Sequence, residues 1–306
     1  MNSFFEKMFL PDEFLRYYND GLLNIVYSVS KETRSDNTSF FKRLQDKCVC
    51  TTFPIEYVYD EDAFYCSGVR YNIKQDIELF LNSIDTETPL LIDITTMNLR
   101  LLGTFLAKIK KLSFPSVYCL YTEPGRYSKN TDSAENIDRF DLYRKFKGIE
   151  AIPGFLRAND RGLNVKCIAF LGFDGKRIEQ LREKYEFQDM VPVVTLPSFK
   201  PGWHNYALHE NLDTIKNIDR KPEYIIANSY LSAYNYLDRV QTSSPNTYIR
   251  VIPFGTKINC LGILLYVLNH KEGIDIIYDN PIEEGRISDE RGNTYIFDIS
   301  EIINAS

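Results

Sequence analysis

Short apolar runs rich in Val, Ile, Leu and Tyr alternate along the chain with amphipathic stretches of roughly 10–15 residues, the signature of βα units around a mostly parallel sheet. Buried strands are expected over 23–29, 47–52, 55–59, 89–95, 116–121, 165–171, 190–196, 224–227, 248–253 and 274–278. Helices are expected over 38–44, 73–84, 99–112, 176–184, 205–215, 230–240 and 258–269. Asn37, Thr38 and Ser39 read as the cap of the first helix, and Lys108, Lys110 and Lys111 complement the dipole at the end of another. Near the C-terminus, Arg291-Gly292-Asn293 separates two alternating runs and predicts a hairpin over 285–299. The fold class that follows is α/β: two Rossmann-like halves of βα units around mostly parallel sheets, with a C-terminal β-hairpin.

Pro153-Gly154 and the polar run 157–162 interrupt the pattern, so the domain boundary is placed to give 1–158 and 159–306. The polar segment 125–147 is the longest loop-like stretch before the middle of the chain. No repeat of about 20–50 residues is legible, which excludes solenoids and propellers.

Composition narrows the class further. With 306 residues, 44% hydrophobic and 25% charged, the chain matches ordinary globular domains and excludes a disordered or collagen-like protein. The net charge of −6 argues against nonspecific coating of DNA, while leaving room for a local basic pocket. The six cysteines lack C-x-x-C spacing and several lie in apolar runs, as reduced, buried thiols in a cytoplasmic protein would. The N-terminus has no uninterrupted apolar segment and no run approaches the roughly 20 residues needed to span a bilayer, so neither a signal peptide nor a membrane segment is expected.

In open parallel sheets, ligands bind outside the carboxyl ends of the strands, where strand order switches. The residues expected there are Asp93, Thr95 and Thr96; Tyr121, Thr122 and Glu123; Gly172, Asp174 and Gly175; the loop 197–203 with Trp203; and Gly255, Thr256 and Lys257. All are expected on one common rim. Glycines, small hydroxyls and a lysine at helix N-termini suit a phosphate or ribose, because free backbone N–H groups and the helix dipole favour an anion. Phe254-Gly255-Thr256-Lys257 is the sharpest of these turns, although it lacks the upstream glycine of a P-loop. It reads either as a phosphate turn or as a strand-to-helix turn with a threonine cap.

The other groups also carry two readings. Asp93 with Thr95 and Thr96 either binds a ribose hydroxyl or caps the following helix. Gly172-Phe173-Asp174-Gly175 lacks a G-x-G-x-x-G fingerprint, so no dinucleotide cofactor, and no other cofactor, is expected. Trp203 either stacks on a base or wedges its domain shut. His204 and His209 share no helix face and have no third ligand, so no metal site is expected. No nucleophile motif is present. Glu123 and Asp93 are the candidate carboxylates for an acid, base or nucleophile.

On Ile92-Asp93-Ile94-Thr95 and Pro253-Phe254-Gly255-Thr256-Lys257, the chain resembles the Rossmann-like sensor domains of prokaryotic antiviral systems, the CARF and SAVED group. There a polar turn after one strand and a later G-T-K-like turn line a pocket for a cyclic or linear oligonucleotide. Phe254 stands where a second glycine is common, and no effector nuclease domain is legible. The resemblance implies non-catalytic sensing of a nucleotide or oligonucleotide in a defence or stress system, with a protein partner or a second copy. Two alternatives remain: a nucleotide hydrolase or N-glycosidase using Glu123 or Asp93, and a structural subunit of a larger complex.

Overall fold

The computed structural model describes residues 4–18, 21–30, 32–127, 145–146, 148–155, 162–185, 187, 189–218, 220–270, 272–282 and 288–305. In chain order, the first elements are β1 (Lys7–Phe9), α1 (Pro11–Tyr17), β2 (Leu22–Ser28), α2 (Thr38–Gln45), β3 (Val49–Val58), β4 (Ala63–Cys66), β5 (Val69–Asn72) and α3 (Ile77–Leu81). Next come β6 (Leu90–Asp93), α4 (Leu99–Ile109), β7 (Val117–Tyr127), β8 (Lys145–Phe146), β9 (Asn164–Phe170), α5 (Gly175–Lys184), β10 (Asp189–Thr195), α6 (Trp203–Glu210) and α7 (Leu212–Ile218). The chain continues through β11 (Glu223–Ile225), α8 (Tyr230–Ser243), β12 (Thr247–Pro253), α9 (Lys257–Asn269), β13 (Ile274–Ile276), β14 (Pro281–Ile282), β15 (Ser288–Asp298) and α10 (Ser300–Ile303).

Two units result, residues 1–128 with 285–306, and residues 129–284. The expected 158/159 boundary gives way to this division because β15 pairs with β7 and β1 and thereby joins the first unit. The expected C-terminal hairpin is likewise a single long strand. Where Arg291-Gly292-Asn293 was read as a turn, the β7–β15 ladder has a bulge between Arg291 and Thr294. Gly292 makes this possible: a Cβ there would lie 2.9 Å from Glu123 Cβ and 3.1 Å from the Glu123 carbonyl oxygen. A glycine can shift the strand without ending it.

The first unit is built on an eight-stranded sheet in the order β1-β15-β7-β6-β2-β3-β4-β5. Its centre, β7-β6-β2-β3, is parallel, and antiparallel strands extend both sides. Alternate strand residues divide between two cores. Leu23, Ile25, Leu91, Tyr118, Leu120 and Ile296 pack on one side with Phe14, Phe40 and Leu44 of α1 and α2. A second aromatic cluster gathers Phe64, Tyr71, Phe80 and Phe105 from β4, β5, α3 and α4, with ring centroids 5.1–5.8 Å apart. Edge-on and offset rings of this kind add to plain apolar burial.

The second unit carries a five-stranded, all-parallel sheet in the order β11-β10-β9-β12-β13. Numbered within the unit this is 3-2-1-4-5, the start of the doubly wound Rossmann order. Right-handed crossovers place α5, α6 and α7 on one face and α8 with α9 on the other. Helix α9 is buried along its length from Ile258 to Leu268. It meets α8 at Gly262, where any Cβ would run into the Tyr230 carbonyl oxygen. The small antiparallel ladder β14-β8 completes the unit.

Several elements differ in extent from the sequence expectation. The helix expected over 73–84 is only Ile77–Leu81, because the Asp76 carboxylate accepts the Asn72 N–H (2.8 Å) and holds 72–76 as a turn. The helix expected over 205–215 breaks at Asn211, whose amide Nδ2 donates to the Gly172 carbonyl (2.8 Å). Of the polar stretch 125–147, residues 125–127 extend β7 and 145–146 form β8, while 128–144 and 147 lie outside the described residues. Part of the expected linker, 156–161, lies there too. None of the six cysteines forms a disulfide. Among the described residues no helix is long and apolar enough to cross a membrane.

Candidate functional site

The candidate residues do not belong to one sheet. They divide between the carboxyl edges of two sheets in separate units, each at a switch in strand order. In the first sheet, β2 connects to β3 on one side while β6 and β7 lie on the other, so the switch falls between β2 and β6. In the second, β9 connects to β10 and β11 while β12 and β13 lie opposite, so it falls between β9 and β12.

The first edge is filled by the protein's own side chains. Asp93 ends β6 and is 3% exposed. Its Oδ1 accepts the Thr95 N–H (3.0 Å) and its Oδ2 accepts from the Asn37 amide (2.6 Å) across the switch. The Thr95 hydroxyl accepts the Thr122 N–H (3.0 Å), and the Thr122 and Thr294 hydroxyls pair at 2.9 Å. Arg291, projected by the β15 bulge, closes the network. Its Nη1 donates to the Asp36 carbonyl (2.7 Å), and its Nη2 to Asn37 Oδ1 (2.6 Å) and the Thr294 hydroxyl (3.0 Å). Beside it, Glu32 Oε2 accepts from Arg34 Nε (2.6 Å) and the Ser288 hydroxyl (2.5 Å). Thr96 and Glu123 are also buried, Glu123 against Gly292.

This packing decides what Asp93 can do. Burial pushes its carboxyl pKa upward, and the Thr95 and Asn37 hydrogen bonds and the Arg291 charge pull it partly back. A carboxylate whose two oxygens are both held by the fold is a structural anchor rather than a nucleophile. Because the folded pKa is raised, the stability this group contributes is complete below the ordinary carboxyl range. It is lost as pH rises through the folded value. We therefore expect the stability difference between Asp93→Asn and the wild type to move in the variant's favour as pH is raised above the ordinary carboxyl range of about 4. Urea unfolding of both proteins over that rise checks this, and a slope of the opposite sign refutes it.

The second edge is open. Gly172 follows β9 and approaches the end of β12 so closely that a Cβ would run into the Phe254 carbonyl oxygen. Gly175 begins α5 against the Glu210 carbonyl in the same manner. Asp174 is buried at the N-cap position of α5 without capping through its side chain. Gly255, Thr256 and Lys257 are half-exposed where β12 passes into α9. The Thr256 hydroxyl accepts the Asn259 N–H (3.2 Å), the capping role expected of it, and donates to the Ala227 carbonyl (2.9 Å). At Gly255 a Cβ would make ordinary contacts with Phe170 Cβ at 3.4 Å and the Asn259 side chain at 3.7 Å. Trp203, half-exposed at the start of α6, stands edge-on to Phe173 (5.6 Å), with Lys200 Nζ 5.5 Å from its ring.

The sequence reading did not single out a buried ion pair at this edge. Arg177, on the first turn of α5, donates from Nε and Nη2 to the two carboxylate oxygens of Asp279 (2.9 and 2.6 Å), and its guanidinium lies 3.7 Å from the Phe254 ring centroid. Its position just inside the turn 172–175 was the available signal. On the first edge, Asn37 and Arg291 were overlooked as site residues because each had a local explanation, as a cap and as part of a turn. Among the described residues no cluster of His, Cys, Asp and Glu suited to a metal is found.

The second unit thus belongs to the class of doubly wound α/β folds, with half-exposed Gly255, Thr256 and Lys257 at its switch point. No family model matches the chain, and no curated protein matches its sequence.

Proposed function

We propose that the protein is a non-catalytic sensor that binds a nucleotide or oligonucleotide through its phosphates at the carboxyl edge of the second sheet. The observation that carries this reading is the contrast between the two switch points. One is filled by Asp93, Asn37 and Arg291, whereas the other leaves Gly255, Thr256 and Lys257 half-exposed at the start of α9. A backbone that an anion can approach, a helix N-terminus behind it and a lysine beside it make a phosphate site. Trp203 and Phe173 supply aromatic surface for a base. Of the hydrolase alternative's two carboxylates, Asp93 is held by Asn37 and Thr95 and Glu123 is buried.

By its resemblance to CARF and SAVED domains, the sensor would work in the cytoplasm within a defence or stress system and report to a protein partner or a second copy. Mass spectrometry of small molecules carried through native purification tests the ligand class. With ATP as probe, the wild type is expected to gain thermal stability and to leave the nucleotide intact. Lys257→Ala is expected to weaken ATP binding by about 1–3 kcal/mol, the scale of a lost charge-assisted contact. Unchanged affinity in a folded Lys257→Ala protein removes this edge as the site, and turnover of ATP by the wild type replaces the sensor with an enzyme.

A further inference from the structure

We infer that Asp279 is a built-in stand-in for a ligand phosphate: its carboxylate occupies an anion receptor made by Arg177, and a phosphorylated ligand at the second edge takes that receptor over. This rests on the site proposed above and adds Arg177 to it. The Arg177 and Asp279 side chains are 7% and 8% exposed and joined by a two-pronged contact. A phosphate presents to a guanidinium the same pair of oxygens that a carboxylate does, so the receptor needs no rebuilding to exchange one for the other. Stacking on Phe254, the residue immediately before Gly255-Thr256-Lys257, orients the guanidinium and holds it beside the open turn. The Cys260 thiol, in the first turn of α9, lies in the field of both cations. Burial raises its pKa to about 11, against the opposing fields of both Lys257 and Arg177.

The exchange has a defined consequence, because Asp279 opens a strap. Asn280 adopts a left-handed conformation (φ 50) and donates from Nδ2 to the carbonyls of Gly148 (3.0 Å) and Tyr278 (3.2 Å). The Gly148 N–H donates to the Asp279 carbonyl at 3.3 Å. The next two residues form β14, which pairs with β8. Among the described residues these are the last and first strands of the second unit. The buried Asn280 Oδ1 has no hydrogen-bond partner among the described residues, so the strap is under-satisfied on its inner side. Freeing Asp279 loosens the strap at its first residue and converts ligand capture into a change at the β14–β8 ladder.

The test uses inorganic tripolyphosphate, which carries the anion without a base, and the full chain. Asp279→Asn removes the competing charge and is expected to bind tripolyphosphate about tenfold more tightly than the wild type by calorimetry. Saturating tripolyphosphate is expected to speed hydrogen exchange of the wild type at 148–150 and 278–282. The wild-type exchange experiment decides the matter even if Asp279→Asn fails to fold. Unchanged exchange in the saturated wild type, with Lys257→Ala still weakening binding, overturns the stand-in and leaves the ligand edge standing. Absence of tripolyphosphate and ATP binding in both wild type and Asp279→Asn overturns the two together.

Discussion

Replacing Arg177 by methionine is expected to destabilise the second unit by about 3–5 kcal/mol, read as a fall in its urea midpoint. The cost comes less from the lost attraction than from what stays behind. Asp279 is left without its cation at a position only 6% exposed, with Phe254 and Tyr278 beside the vacated guanidinium. A buried carboxylate without its cation carries the full desolvation penalty. The same logic predicts strong non-additivity. Arg177→Met combined with Asp279→Leu removes both charges and is expected to recover most of the loss, because buried pairs replaced by apolar residues of similar volume are often neutral. An internal control is Arg43, paired with Asp12 at the surface with side chains 55% and 71% exposed. Arg43→Ala is expected to cost below about 1 kcal/mol. If Arg177→Met proves as mild as Arg43→Ala, the pair is not buried in solution.

What the sequence could reveal follows from the range over which each feature is determined. The β6–α4 and β12–α9 units are legible because an apolar run, a capping residue and a long apolar helix occur within one stretch; Asn98 and Thr256 cap as their types suggest. The β4–β5 hairpin was missed although its two-residue turn, Ser67-Gly68, carries a local signal. Both residues are left-handed (φ 51 and 80), the geometry that tight hairpins require. The four-residue strands around it are too short for periodicity to show.

Contacts between distant segments are harder to read. Asn37 has the right type and position for a helix cap, but its side chain turns to Asp93, 56 residues away. Arg177 and Asp279 are 102 residues apart, and only the strand order β9-β12-β13 brings α5 over the end of β13. The switch-point argument located both edges, yet residue type alone does not tell a filled edge from an open one. That distinction depends on Arg291, which a bulge in the last strand delivers to the first edge.

Two glycine substitutions on the second edge separate architecture from function. Gly172→Ala is expected to destabilise the unit by about 1–3 kcal/mol, the scale of overpacking, since the new methyl meets the Phe254 carbonyl. A backbone oxygen in register with β9 cannot rotate away as a side chain does, so relief requires β9 and β12 to part at their ends. Gly255→Ala is the converse case. Its Cβ meets Phe170 at an ordinary 3.4 Å, and its φ is not in the left-handed region. The unfolded chain loses freedom as well, so stability is expected to hold or rise by up to about 1 kcal/mol. The methyl group faces buried Phe170 and Asn259 rather than the exposed side of the turn, so ATP affinity is expected to stay within about threefold of the wild type. A loss of tenfold or more in a stable Gly255→Ala protein, about 1.4 kcal/mol, would mean that the phosphate rests on the inner side of the turn between β12 and α9 and not on its exposed side.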